Sequence, residues 1–291
     1  MFKNISTPSS FSLIKRGKVF LLLKDKYKDF LLQDGIEDME TFLQRYRQTS
    51  KYLSGRMLHP SIPIKDGERM VLRQYRHGGL LRFFTRDFYL FGSRSFHELA
   101  LTDEILSCGI PTIQPIGAVH RFILPPLYKA CLLSLELPQA TDLIQFIREI
   151  GSQPSRENLH LKRKTIRAAG LLLRQFHQSG FYHADLQLKN ILVAGGRLFL
   201  VDFDRSYRKE VLTMKERMKN LLRLNRSVAK WRRMELPITR TDRLRFFLSY
   251  AGDDLTVREA LEKTLPAFSI KLFLHRLRWK LNQNTKWSPT G

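Results

Sequence analysis

The stretch Phe181-Tyr182-His183-Ala184-Asp185-Leu186-Gln187-Leu188-Lys189-Asn190, continued by Ile191-Leu192-Val193-Ala194-Gly195-Gly196-Arg197-Leu198-Phe199-Leu200-Val201-Asp202-Phe203-Asp204, decides how this chain folds. Two short apolar runs flank Gly195-Gly196, a dipeptide that marks a tight turn between antiparallel strands. Such a hairpin carries the chain out and back. It returns the polar residues before it (His183, Asp185, Lys189, Asn190) and those after it (Asp202, Asp204) towards one place. A lone H-x-D arises readily by chance. The full sequence H-x-D-L-x-x-x-N, apolar strand, Gly-Gly, apolar strand, D-F-D does not.

This order of elements looks like the catalytic loop and metal-binding motif of the protein-kinase-like fold. Phosphoryl transfer asks little covalent chemistry of a protein. It needs an acceptor hydroxyl held in line and cations on the triphosphate. On that resemblance Asp185 faces the hydroxyl, and Asn190 with Asp202 faces Mg²⁺. His183 takes the place of the kinase histidine that braces the metal-binding loop. Lys189, four residues after Asp185, either reaches the γ-phosphate or acceptor or is a solvated lysine. His177, in the preceding helical stretch, is read as a packed or capping residue.

Upstream, the kinase pattern asks for a basic residue on a strand and a glutamate on the next helix. The strand Met70-Val71-Leu72-Arg73-Gln74-Tyr75-Arg76 offers Arg73, with Arg76 as the other candidate. Arginine holds phosphate oxygens bidentately but differs from lysine in shape and reach. Glu98, in Arg94-Ser95-Phe96-His97-Glu98-Leu99, is the candidate helix partner, the alternative being a surface glutamate. Gly55 alone hints at a phosphate loop. Gly78-Gly79 is a turn or a substrate loop. Glu136-Leu137-Pro138 is the expected hinge, whose backbone groups would hold adenine. A strand over Lys18–Leu23 followed by helical pieces, β-rich sequence over 52–91, a helix over Phe91–Leu106, two short apolar strands in 116–137, helices over 141–149 and 158–179, and a basic helical tail complete the reading. The expectation is a bilobal α+β fold, with a small β-rich lobe over 1–135 and a larger helical lobe over 136–291.

Length and composition agree with a folded chain of this size: 291 residues, 43% hydrophobic and 26% charged. The charge is unusual. Fifty Lys and Arg against 27 Asp and Glu give a net +23, which calls for a polyanionic partner such as nucleic acid, an anionic membrane or a phosphorylated substrate. The excess concentrates in residues 205–247, with 14 Lys/Arg against 4 Asp/Glu. Two cysteines, Cys108 and Cys131, without a C-x-x-C pair, suggest reduced thiols rather than a zinc site or a disulfide framework. No apolar run is long and unbroken enough to span a bilayer, and no signal-peptide pattern opens the chain. A cytoplasmic protein is expected.

The segments Arg73-Gln74-Tyr75-Arg76-His77-Gly78-Gly79, His183-Ala184-Asp185-Leu186, Asp202-Phe203-Asp204-Arg205 and Asn220–Lys230 together resemble the lipopolysaccharide kinases, the family of the Kdo and heptose kinases, over roughly residues 50–235. That family's strand reads R-x-Y-x-x-G-G, so Arg73 in place of lysine is in keeping, as is Asp204 in place of the usual glycine. Gln187 and Lys189 depart from the family's commoner Asn and His. The resemblance implies an ATP- and Mg²⁺-dependent sugar kinase acting on a hydroxyl of Kdo on Kdo–lipid A. It also implies that the basic segment 205–247 meets the anionic inner face of the inner membrane or the phosphates of the glycolipid, whereas a solvated helical face is the plainer reading. Rival readings are a heptose kinase, a small-molecule kinase of the aminoglycoside or choline type, a protein kinase, and a non-catalytic nucleic-acid or membrane binder. The missing A-P-E segment speaks against a protein kinase, and the intact Asp185, Asn190 and Asp202 speak against a pseudokinase.

Overall fold

The computed structural model describes residues 7–53, 59–75, 88–90 and 92–264. The chain divides into two compact units. The first comprises Met1–Ala140, His183–Asp185 and Phe199–Tyr207; the second comprises Thr141–Tyr182, Leu186–Leu198 and Arg208–Gly291.

The first unit is built on an antiparallel sheet. Its strands are β1 (Phe11–Arg16), β2 (Val19–Lys24), β3 (Lys51–Leu53), β4 (His59–Pro63), β5 (Arg69–Gln74), β6 (Tyr89–Leu90), β7 (Pro115–Leu124) and β8 (Leu127–Leu135). They run in the order β1-β2-β7-β8-β5-β4-β3, with β6 on β8. Side chains alternate across a strand, yet β2 reads Val-Phe-Leu-Leu-Leu because both faces of the sheet are covered. Leu21 and Leu23 face one cluster with Met70, Leu72 and Leu133, closed by Tyr27 and Leu31 of α1 (Asp25–Gln33) and Phe42 of α2 (Met39–Arg45). Leu22 and Leu132 face the other, with Phe96 and Leu99 of α3 (Arg94–Ser107). The strand and helical pieces read near the N-terminus are therefore β2, α1 and α2, and β1 adds an edge strand.

The two strands read as short in 116–137 are instead ten and nine residues long. His120, Arg121 and Lys129 interrupt the apolar pattern without ending a strand, because backbone pairing continues through them.

In the second unit α4 (Leu143–Ser152) starts at Asp142, whose carboxylate accepts from the backbone N–H of Ile144 and Gln145. The 23-residue α5 (Arg156–Gln178) starts at Ser155. Capping boxes open α6 (Met214–Arg232) at Thr213/Glu216 and α7 (Arg240–Ala251) at Thr239/Asp242. The last described helix is α8 (Leu255–Thr264). Gly170 is required where α5 meets α7: a Cβ there would lie 2.5 Å from the carbonyl oxygen of Phe246. Short strands β9 (Thr141–Asp142), β10 (Phe181–Tyr182), β11 (Ile191–Ala194) and β12 (Arg197–Leu200) accompany the helices. β11 and β12 form the expected hairpin over Gly195 and Gly196, both at positive φ (53° and 72°), as a tight hairpin turn demands. β12 carries the chain from the second unit back into the first. No helix among the described residues is long and apolar enough to cross a membrane.

Candidate active site

The first unit gathers three of the residues singled out in the sequence. Arg73, at the end of β5, donates from Nη1 to Asp202 Oδ1 at 2.6 Å and forms an ion pair with Glu98 of α3. Tyr75, two residues on from Arg73, donates its hydroxyl to the Glu98 carboxylate. The other oxygen of Glu98 accepts the backbone N–H of Phe203 at 3.0 Å. Glu98 is thus no surface glutamate: it is 3% exposed and fully engaged. Burial alone would lower the Arg73 guanidinium, but the carboxylates of Glu98 and Asp202 outweigh it and hold Arg73 well above the ordinary arginine value. Burial pushes the Glu98 carboxyl up, against the opposing pull of Arg73.

Asp185 belongs to the same unit through His183. The His183 ring is buried, accepts the Asp185 N–H at Nδ1 (3.1 Å), and donates from Nε2 to the carbonyl of Val201 (3.1 Å). These two bonds fix the neutral Nε2–H tautomer. They also tie the Asp185 loop to the residue preceding Asp202, the bracing role expected of this histidine. Phe203 packs its ring 5.2 Å from that of His183. Thr112 Oγ1 donates to the Leu200 carbonyl (2.6 Å), and Leu200 N–H donates to the Pro111 carbonyl (3.0 Å), so segment 199–207 is anchored at its start. Asp202 takes φ 69°, a left-handed conformation uncommon for a non-glycine residue.

Glu136 is also spoken for. Its carboxylate accepts from Ser61 and from Arg69 Nε, and its N–H donates to the Arg69 carbonyl at 2.8 Å. Leu137 follows at the end of the sheet, its carbonyl closing a turn with the Ala140 N–H.

Lys189 and Asn190 lie in the second unit, in a 3-10 turn over Leu188–Asn190; Asn190 is buried, and its N–H bonds the Gln187 carbonyl. The Leu188 N–H donates to Ser227 of α6 at 3.2 Å. Gly55, Arg76 and Gly78-Gly79 lie outside the described residues.

Two residues of the first-unit cluster escaped the sequence reading. Tyr75 was signalled by its spacing of two from Arg73, which puts both side chains on one side of the strand. Arg94, which grips Asp204, was signalled by its spacing of four from Glu98.

A separate apolar cavity of about 60 Å³ lies within the second unit, lined by Leu143, Ile147, Leu221, Leu224, Val228 and Phe247 among others. It includes none of the candidate catalytic residues.

The fold and the cluster define a protein-kinase-like α+β protein. Residues 62–250 match the family model described as "Lipopolysaccharide kinase (Kdo/WaaP) family", and the chain belongs to that family. A 3-deoxy-D-manno-octulosonic acid kinase of Xanthomonas campestris pv. campestris is 37% identical over 168 residues, and one of Xylella fastidiosa is 34% identical over 168 residues. Each alignment covers 56% of this chain and 62% of the relative's length. A solved structure titled "WaaP in complex with acyl carrier protein" shares the fold at a TM-score of 0.57 and 19% identity, covering 87% of this chain and 97% of that one.

Proposed function

We propose that the chain is an ATP- and Mg²⁺-dependent sugar kinase that phosphorylates a hydroxyl of Kdo on Kdo–lipid A, in assembly of the lipopolysaccharide inner core. The observation that carries this reading is the Arg73–Glu98–Asp202 cluster, joined through Val201 and His183 to Asp185. It is supported by membership of a kinase family whose aligned relatives are named Kdo kinases.

In this reading Asp185 orients the acceptor hydroxyl and takes its proton, and Lys189 meets the γ-phosphate. Arg73 presents a rigid fork to phosphate oxygens, its own charge secured by Glu98. Gly55 belongs to the phosphate loop, and the backbone of Glu136 and Leu137 meets adenine. Asp202 and Asn190 are a donor set of oxygens only, which fits Mg²⁺, a hard cation bound through one or two carboxylates with phosphates and water completing its shell. Bound there, the ion would neutralise charge on the phosphates.

With a glycolipid acceptor the protein would work in the cytoplasm, at the inner face of the inner membrane. The apolar face of α6 is already spent on packing, with Met218, Leu221 and Leu224 buried. What remains exposed is a stripe of Lys215, Lys219, Arg226 and Lys230. Contact with anionic headgroups would therefore be electrostatic and salt-sensitive. An acyl carrier protein is a second candidate partner, favoured by the solved WaaP complex.

Transfer of labelled phosphate from ATP onto Kdo–lipid A, heptosylated core and free amino alcohols tests the acceptor. Label on Kdo–lipid A is expected. Label only on another acceptor would overturn the assignment to Kdo. A thermal shift on ATP–Mg²⁺ but not on DNA is expected in the same preparation.

A further inference from the structure

We propose that Arg94 and Asp204 form a positioning clamp that holds the Asp202 carboxylate in place, an inference that rests on the kinase reading above. Asp202, Phe203 and Asp204 are consecutive, and each is held by a different group of the first unit. Arg73 holds the Asp202 carboxylate, Glu98 holds the Phe203 N–H, and Arg94 holds the Asp204 carboxylate. The last contact is bidentate: Arg94 Nε donates to Oδ1 at 2.8 Å and Nη2 donates to Oδ2. Fork-to-fork pairing of this kind fixes orientation as well as distance.

Arg94 is itself fixed. Its guanidinium lies over the rings of Tyr89 (4.7 Å) and Tyr75 (5.9 Å), and those rings meet edge-to-face. Arg94 and Glu98 are one helical turn apart, so α3 delivers both to the same short segment. The position is a poor one for arginine on local grounds, because the first turn of a helix favours negative charge. A local rule broken in this way, with its compensation found in another element, is the mark of a site shaped for a task.

The task follows from the backbone. Asp202 and Arg205 both take positive φ, 69° and 60°. Conformations of this kind are costly and persist only where the surroundings over-determine them. With glycine at 204 the segment would have one grip fewer and a freer backbone. The aspartate gives α3 a handle directly beyond the strained residue. Arg94 thus acts on the metal-facing carboxylate through Asp204, without touching substrate.

The test compares Arg94→Ala, Asp204→Gly, Asp204→Asn, the Arg94→Ala/Asp204→Gly double variant and the reversed pair Arg94→Asp/Asp204→Arg. Two readouts are taken in the full chain. One is hydrogen–deuterium exchange of segment 199–207 without nucleotide; the other is kcat on Kdo–lipid A against Mg²⁺ concentration. Each single variant should exchange faster in 199–207, lose about 10–100-fold in kcat as a misplaced group does, and need more Mg²⁺ for half-maximal rate. The double variant should be no worse than the worse single, since contacting partners are not additive. The reversed pair should recover part of the loss. Unchanged exchange in both Arg94→Ala and Asp204→Asn, or losses that multiply in the double variant, would overturn the clamp. If the parent chain transfers no phosphate, the kinase reading fails, and the exchange data decide the clamp by themselves.

Discussion

Each unit of this protein buries a cluster of polar side chains, and the two clusters end differently. In the helical unit His177 accepts the Tyr250 hydroxyl at Nδ1 (2.7 Å) and donates from Nε2 to Asn220 Oδ1 (2.9 Å); all three residues are at most 2% exposed. In the sheet unit Arg73, Glu98, Tyr75, Arg94, Asp202 and Asp204 form a chain of charges that leads outward. Glu98 lies at its base with a side chain 2% exposed, whereas Asp202 is 33% and Asp204 24% exposed. The first cluster is neutral and closed. The second holds carboxylates at a surface in a fixed geometry. A closed neutral network specifies a core; an open charged one is built to meet something.

Substitutions should separate the two. The largest effect is expected at the open cluster: Asp202→Ala should leave no measurable phosphate transfer, with the fold intact by circular dichroism. Retained Mg²⁺-dependent turnover would break the comparison. Asp185→Asn should lower kcat by about 10²–10⁴-fold, the range for a positioned acid or base, and near-normal turnover would remove Asp185 from the mechanism. Arg73→Lys keeps the charge but loses the fork; a loss of about 10-fold or more in kcat/KM for ATP is expected, with a small change in Tm. The closed cluster should answer in the opposite sense. Tyr250→Phe removes the hydroxyl from His177 Nδ1 and should cost about 1–3 kcal/mol in urea unfolding, with kcat unchanged in the folded fraction.

The last expected effect, silent at neutral pH, is a pH dependence in the sheet unit. His120 sits among Phe20, Phe96, Phe122 and Tyr128, and burial pushes its imidazole down to about 4 from an ordinary 6.5. The folded state therefore favours the neutral ring. The stability linked to it is complete above about pH 6.5 and is lost as pH falls towards 4. His120→Phe should flatten that part of the stability profile, and an unaltered slope between those values would exclude the residue as its source.

The sequence showed the site better than its supports. Asp185, Asn190 and Asp202 stood out as candidates because a hairpin fixes their spacing locally, whatever the rest of the chain does. Arg73 and Glu98 were legible only as candidates, since their pairing depends on how β5 and α3 meet across the sheet. Arg94 and Asp204 lie 110 positions apart, a distance at which periodicity says nothing. The strands β7 and β8 were underestimated because charged residues interrupt apolar runs without interrupting backbone pairing. On α6 leucines alternate with arginines over Asn220–Lys230, the pattern of an amphipathic helix. It did not say that the leucines face inward, because an amphipathic pattern looks the same whether a core or a membrane covers it.

The return of the chain into the sheet unit has a consequence for how the protein is made. When residue 140 leaves the ribosome, every strand of the main sheet has been synthesised and Glu98 can already meet Arg73 and Tyr75, yet Arg94 still lacks the carboxylate it will hold. Phe203 and Asp204 follow about sixty residues later. Until then the nascent sheet carries Arg94 without its carboxylate partner beside the place where Asp202 will dock, and an unpaired charge resists burial. The sheet unit is begun first but is completed only after the whole of α5 has been translated, so its last step of folding is also the step that assembles the candidate site.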